Sequence, residues 1–145
     1  MRWILTALGA ALVVVAALGT WFEAYSLTGS ATMAAWGHWS RTGAIDAQLR
    51  PIPVGLAICV PAGWAVFAAL RHRYGQAFVG TLLTAVASVL TVALKQRVAA
   101  SAPGGDAVFV TLGGAPQIVL GLALAAAVCS WYLFARTELR DRPRK

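Results

Sequence analysis

The stretch WFEAYSLTGSATMAAWGHW, Trp21 to Trp39, follows directly on an apolar run long enough to cross a membrane. It places three tryptophans, one acid and one histidine among small polar residues. A ligand site, a tether and a folded cap on a membrane domain all fit that content, so the chain on either side must decide between them.

That surrounding chain lacks the surface chemistry of a soluble domain. Hydrophobic residues make up 59% of the 145 residues and charged residues only 12%, about half the usual charged share of roughly 25%. Mean hydropathy is +0.72. So short a chain cannot bury that much apolar surface within itself, and lipid is the solvent it calls for. The net charge of +7 does not point to nucleic acid. Its basic residues stand at the ends of apolar segments and form no patch interleaved with aromatics. Ten of the twelve basic residues are Arg, which with abundant Ala and Val fits a GC-rich bacterial genome.

Four apolar stretches reach the roughly 20 helical residues that a hydrocarbon core of about 30 Å requires. The expectation is therefore an all-α membrane protein, a four-transmembrane-helix bundle forming a single integral domain over residues 1–145. Its spans fall at about residues 3–22, 51–70, 76–94 and 116–135, with exported loops 23–50 and 95–115 and a cytoplasmic basic tail 136–145. Pro51 and Pro116 stand where a first helical turn tolerates a missing N–H. Pro61 falls inside the second span as a packing kink eased by Gly63. With both termini cytoplasmic, eight basic residues lie inside (Arg2, Arg71, Arg73, Arg136, Arg140, Arg142, Arg144, Lys145) and four outside (Arg41, Arg50, Lys95, Arg97). That asymmetry sets the orientation in a bacterial plasma (inner) membrane, multi-pass. Residues 1–19 also resemble a signal peptide, but the apolar run exceeds the usual 7–15 residues, so it is read as a retained span. Trp3, Trp64, Tyr74, Trp131 and Tyr132 are expected as aromatic anchors at the inner interface and Trp21 at the outer one.

Thr81, Thr84, Ser88, Thr91 and Lys95 recur at spacings of three and four, which puts them on one helix face. Such a face is a packing seam of small hydroxyl residues; the sharper alternative is a polar conduit. Gly55, Cys59 and Gly63 on the second span, and Gly121, Ala125 and Cys129 on the fourth, are small-residue counterparts. Lys95, at the outer end of its helix, is expected to be neutralised by Glu23 or Asp106. No acid or His falls near mid-membrane, which argues against proton-coupled transport.

Catalytic and metal chemistry has little to build on here. Cys59 and Cys129 lie at different depths of apolar helices and read as small core residues, with no Cys-x-x-Cys. His38 and His72 fall on opposite faces and cannot share a metal or haem; His38 is read as a polar surface residue and His72 as a head-group contact. No nucleophile elbow, phosphate loop or dinucleotide fingerprint is present, and Glu23, His38, Asp46 and Asp106 form no known motif. No enzyme, cofactor or metal site is expected.

The exported loops have β character. Tyr25 to Thr28 and Ala31 to Ala35 flank a Gly29-Ser30 turn signal, and AVFVTL (Ala107 to Leu112) is β-rich between glycine pairs. Together they suit a small hairpin or sheet over the outer mouth, with Trp36 and Trp39 as its hydrophobic fastening.

The segments TWF (Thr20 to Phe22), LTGSAT (Leu27 to Thr32) and AWG (Ala35 to Gly37) resemble small four-span membrane proteins of high-GC Gram-positive bacteria. The tryptophan-biosynthesis-associated membrane proteins are one such group. The resemblance covers the first third of the chain, and the tail RTELRDRPRK departs from it by lacking an aromatic ending. It implies the architecture and no link to tryptophan metabolism.

The function expected is a non-enzymatic membrane accessory or scaffold protein. It would act through its exported loops on a membrane-protein partner or as a homo-oligomer. An alternative is a small oligomeric transporter or channel lined by the third-span polar face, and a membrane enzyme with an exported-face site comes third. Trp21, Glu23, Trp36, His38 and Trp39, with the five residues of the polar face, are the candidate interaction residues.

Overall fold

The computed structural model describes residues 2–27, 29–43, 49, 51–99 and 108–141. Asp46, Arg50, Asp106 with the Gly104-Gly105 pair, and Arg142, Arg144 and Lys145 lie outside them. Within them the chain runs α1 (Arg2–Leu18), β1 (Thr20–Tyr25), β2 (Gly29–Ala34), β3 (Trp39–Gly43), α2 (Val54–Leu70), α3 (Tyr74–Ala99), β4 (Phe109–Leu112) and α4 (Ala115–Asp141).

The expectation of an all-α, four-span bundle is overturned. The protein is mixed α and β, with a four-stranded antiparallel sheet in the order β3-β2-β1-β4. Among the described residues two helices, over Tyr74–Lys95 and Ala115–Leu139, are long and apolar enough to cross a membrane. α1 and α2 have 17 residues each, about 26 Å at 1.5 Å per residue and short of a hydrocarbon core of about 30 Å.

Local chemistry accounts for both shortfalls. α1 stops at Leu18, where the Gly19 N–H closes the last turn onto the Val15 carbonyl. The following TWFEAY is rich in Thr and aromatic residues that fit a pleated surface, and it pairs with β2 and β4 instead of extending the helix. Residues 20–22, expected at the end of a span, are therefore strand. α2 starts at Val54 and not at Pro51, because Pro53 disfavours helical backbone at Ile52 and itself becomes the N-cap. α3 (26 residues) and α4 (27 residues) are both longer than expected, and the tail is helical through Asp141.

The helices form a closed arrangement: α1 packs on α2 and α4, and α3 on α2 and α4. Ala16, Ala62, Ala65, Ala68, Ala77, Ala85, Ala123 and Ala126 are buried between them, while Val60, Phe67, Leu83, Val86, Leu90, Leu124 and Val128 are exposed. The many alanines at these contacts suit helices that associate by close approach in lipid. Gly80 brings α3 against α2, since a Cβ there would lie 3.0 Å from the Pro61 carbonyl oxygen and 2.9 Å from Ala65 Cβ. Gly63, the residue expected to ease the Pro61 kink, has open space instead.

At one end the sheet closes over the helices. Phe22, Ala24, Ala31, Met33 and Val110 on its inner face join Leu12, Ala16, Val54, Ile58, Ala115 and Val119 in one apolar cluster. A second cluster around Leu5, Ala68, Ala77, Ala126 and Leu133 holds the other end. Cys59 packs against the first cluster and Cys129 against the second. A bulge between Thr20 and Phe22 lets the consecutive Trp21 and Phe22 both be fully buried, where a regular strand would point them to opposite faces.

Candidate interaction surface on the sheet

Period-two alternation and the strand register sort the sheet residues into two faces. On the outer face one row runs Ser40, Thr32, Glu23, Thr111 across the strands, and the next runs Thr42, Ser30, Tyr25, Phe109. Thr32, Ser40, Thr42, Thr111, Tyr25 and Phe109 are exposed, and Ser30 and Glu23 half-buried. The face therefore carries five aliphatic hydroxyls, one carboxylate and a cross-strand aromatic pair. Leu27 stands almost fully exposed at the β1–β2 hairpin, and Trp36 is exposed in the β2–β3 connection.

Hairpin geometry explains how the rim is presented. The Ser26 N–H donates to the Gly29 carbonyl and the Gly29 N–H to Ser26 Oγ, which closes the first turn tightly. In the second, Gly37 takes φ +81°, a left-handed conformation that glycine adopts without steric cost. Its N–H donates to the Ala34 carbonyl, while the Ala34 N–H donates to the His38 carbonyl. The Ala35 carbonyl, between them, accepts the Gly55 N–H at 2.7 Å and so satisfies an otherwise free donor in the first turn of α2. A Cβ at Gly55 would lie 2.9 Å from both Ala35 Cβ and the Ala35 oxygen. Sheet and helix are joined at this point.

Glu23 is engaged within the face. The Tyr25 hydroxyl donates a short hydrogen bond to Glu23 Oε2. Losing its proton would remove that bond and set a phenolate beside a carboxylate, so the Tyr25 pKa is raised above its ordinary value of 10.0. The protonated hydroxyl is the form favoured by folding, so its contribution is present below the unfolded value and is lost as pH rises through the raised one. Phenolate absorbance of the wild type minus that of Tyr25→Phe should therefore titrate above about 10, and Glu23→Ala should bring the midpoint down. Equal midpoints for the wild type and Glu23→Ala would sink this assignment.

The structure separates the candidate residues. Trp21 is fully buried and donates its indole N–H to the Ala16 carbonyl at 3.0 Å, so it is a core residue and not an outer interfacial anchor. Glu23 lies on the outer face, Trp36 is exposed and His38 is exposed in the β2–β3 connection. Trp39 is half-buried, packs against the core and pairs with Met33. Among the described residues no ion pair joins Glu23 to Lys95, which is half-buried on α3; Glu23 is taken by Tyr25. Nor does any group of three or more potential metal ligands gather among them.

Thr81, Thr84, Ser88 and Thr91 are buried together on the inward face of α3. Each hydroxyl donates to a carbonyl one turn back in its own helix: Thr81 to Phe78, Thr84 to Gly80, Ser88 to Thr84 and Thr91 to Ala87, at 2.8–3.0 Å. Ser130 on α4 does the same with Ala126 at 2.8 Å. Such back-bonding satisfies a hydroxyl without a partner helix.

Sequence alone does not single out Tyr25, Phe109 or the hydroxyl rows. The partial alternation of YSLTGSATMAAW was the available signal, but which parity faces outward depends on the β1–β4 pairing across 80-odd residues. Compared with known proteins, this chain matches no protein-family model and no curated protein at a significant level.

Proposed function

We propose that the chain is a non-enzymatic accessory protein of a bacterial plasma membrane, multi-pass through α3 and α4. It would hold its sheet on the exported side as a recognition surface for a membrane-protein partner. The observation that carries this reading is the pairing of two surfaces in one molecule. The helices expose large apolar side chains, while the sheet exposes hydroxyls and aromatics.

Burial within α3 and α4 supports the membrane setting. Only 39% of the apolar window of α3 and 33% of that of α4 is buried, whereas a core helix of a soluble protein is mostly covered. The outer sheet face has the composition of a recognition patch: aromatic contact area bordered by groups that can give or accept hydrogen bonds. Glu23 is its one charged member among the two rows, so contact there requires little desolvation of charge.

The test is purification of the full chain in mild detergent, with stoichiometry read by mass spectrometry. A stoichiometric partner should accompany the wild type and be lost from Phe109→Glu, while far-UV circular dichroism stays unchanged. Retention of the partner by Phe109→Glu, or recovery of the wild type with no partner, contradicts the reading.

A further inference from the structure

The α2–α3 connection, Arg71-His72-Arg73, carries three basic side chains, all exposed. It is built as a tight helix stop. The His72 N–H donates to the Ala69 carbonyl and the Arg73 N–H to the Ala68 carbonyl, the paired bonds of a Schellman ending. The residue in the left-handed position of that motif is usually glycine, yet here it is His72, at φ 59°. Its ring is oriented by a 3.1 Å hydrogen bond between Nδ1 and the Tyr74 hydroxyl. A non-glycine residue is uncommon in that conformation, and here it sets an imidazole between the two arginines.

From the connection an amphiphilic path leads down α2. The Arg71 guanidinium carbon lies 4.9 Å from the centroid of the Phe67 ring, and Phe67 lies 6.1 Å from Trp64. These residues share one face by their spacing of three and four. Trp64 then forms the near wall of an apolar groove of about 520 Å³ between α2 and α3, floored by Ala57, Gly80 and Ala87. A second groove continues it toward the sheet and shares Ala57, Ala87 and Leu90 with it. The groove exists because Gly80 draws the helices together at Pro61, while the alanines beyond are too small to fill the space between them.

We propose that this path is a binding site for one anionic phospholipid. Its phosphate is held at Arg71-His72-Arg73 and an acyl chain lies in the α2–α3 groove. The proposal rests on the membrane-embedded reading above. Charge complementarity selects the head group, since a cationic turn beside apolar surface matches a phosphate joined to a hydrocarbon chain. Arg71, stacked on Phe67, is pre-positioned for that phosphate. Depth also agrees. Arg71 to Ala57 is about 21 Å at 1.5 Å per residue, enough to take a chain through its own leaflet of roughly 15 Å.

The test uses full-length protein extracted from membranes and native mass spectrometry with equal phosphatidylglycerol and phosphatidylcholine. Recovery of the protein in the soluble fraction without detergent would count against the membrane reading before any lipid is added. The wild type should retain one phosphatidylglycerol in preference to phosphatidylcholine by about fivefold or more. Arg71→Gln with Arg73→Gln should abolish that preference, and raised salt should weaken it in the wild type, a readout independent of how the double variant folds. Ala57→Phe fills the groove and leaves the turn intact, so it should lower phosphatidylglycerol retention by a similar factor. Inorganic phosphate at millimolar concentration should leave the lipid bound. Three results would overturn the proposal: displacement by inorganic phosphate, retention unaffected by Ala57→Phe, or a lipid-free dimer closed through the groove.

Discussion

Trp21→Ala is expected to remove about 3–5 kcal/mol of folding free energy, the usual cost of truncating a fully buried large aromatic. The position has no room for partial compensation. Trp21 is fully buried at the junction of helices and sheet. Its indole N–H holds the Ala16 carbonyl in the last turns of α1, and its own carbonyl accepts the Gly113 N–H just before α4. One residue thus joins the end of α1, the first strand and the entry to α4. Trp36→Ala is the matched control. Trp36 is 53% exposed, and its truncation should fall within about 0.5 kcal/mol, as for most surface changes. Equilibrium denaturation in detergent micelles, followed by circular dichroism, checks both. Similar losses from the two variants would mean that the bulge does not bury Trp21 as described.

The two tryptophans also show what the sequence could and could not convey. Apolar runs announce a need for burial, and that need reads the same whether lipid or a sheet supplies the cover. Trp21 and Phe22 therefore extend the first apolar run of the sequence, while in the structure they turn under the sheet. Pro51 and Pro53 likewise count toward a second span, although Pro53 disfavours helical backbone at Ile52 before it and so holds the helix start back to Val54. With those residues assigned to helices, a mixed fold with two membrane-length helices reads as an all-α bundle of four.

Where local spacing alone determines the geometry, more of the structure is legible in the sequence. The three-and-four spacing of Thr81, Thr84, Ser88 and Thr91 puts them on one helix face whatever else happens, and they lie together on the buried side of α3. The β-rich AVFVTL contains β4, and the hairpin proposed around Gly29 exists with its turn shifted to Ser26–Gly29. β3, in WSRTG, had no alternation to reveal it and depends on pairing with β2. Neutralisation of Lys95 by Glu23 or Asp106 follows from matching heights in a bundle, and Asp106 lies outside the described residues. Once β1 replaces the end of the first span, Glu23 faces outward beside Tyr25.

The central claim is that the outward apolar surface of the helices is solvated by lipid, and Val86 examines it most directly. Val86 is 55% exposed and lies near the middle of the Tyr74–Lys95 segment. In water, placing a charge on such a surface position would change stability by no more than about 0.5 kcal/mol. At the centre of a bilayer-spanning helix an arginine costs roughly 2.5–3.5 kcal/mol on insertion scales. The measurement is the fraction of full-length Val86→Arg protein that remains folded in carbonate-washed membranes, with Thr32→Arg on the exposed sheet face as control. Val86→Arg should lower that fraction by about tenfold or more relative to the wild type, while Thr32→Arg should match the wild type. Equal recovery of the two arginine variants would contradict the account.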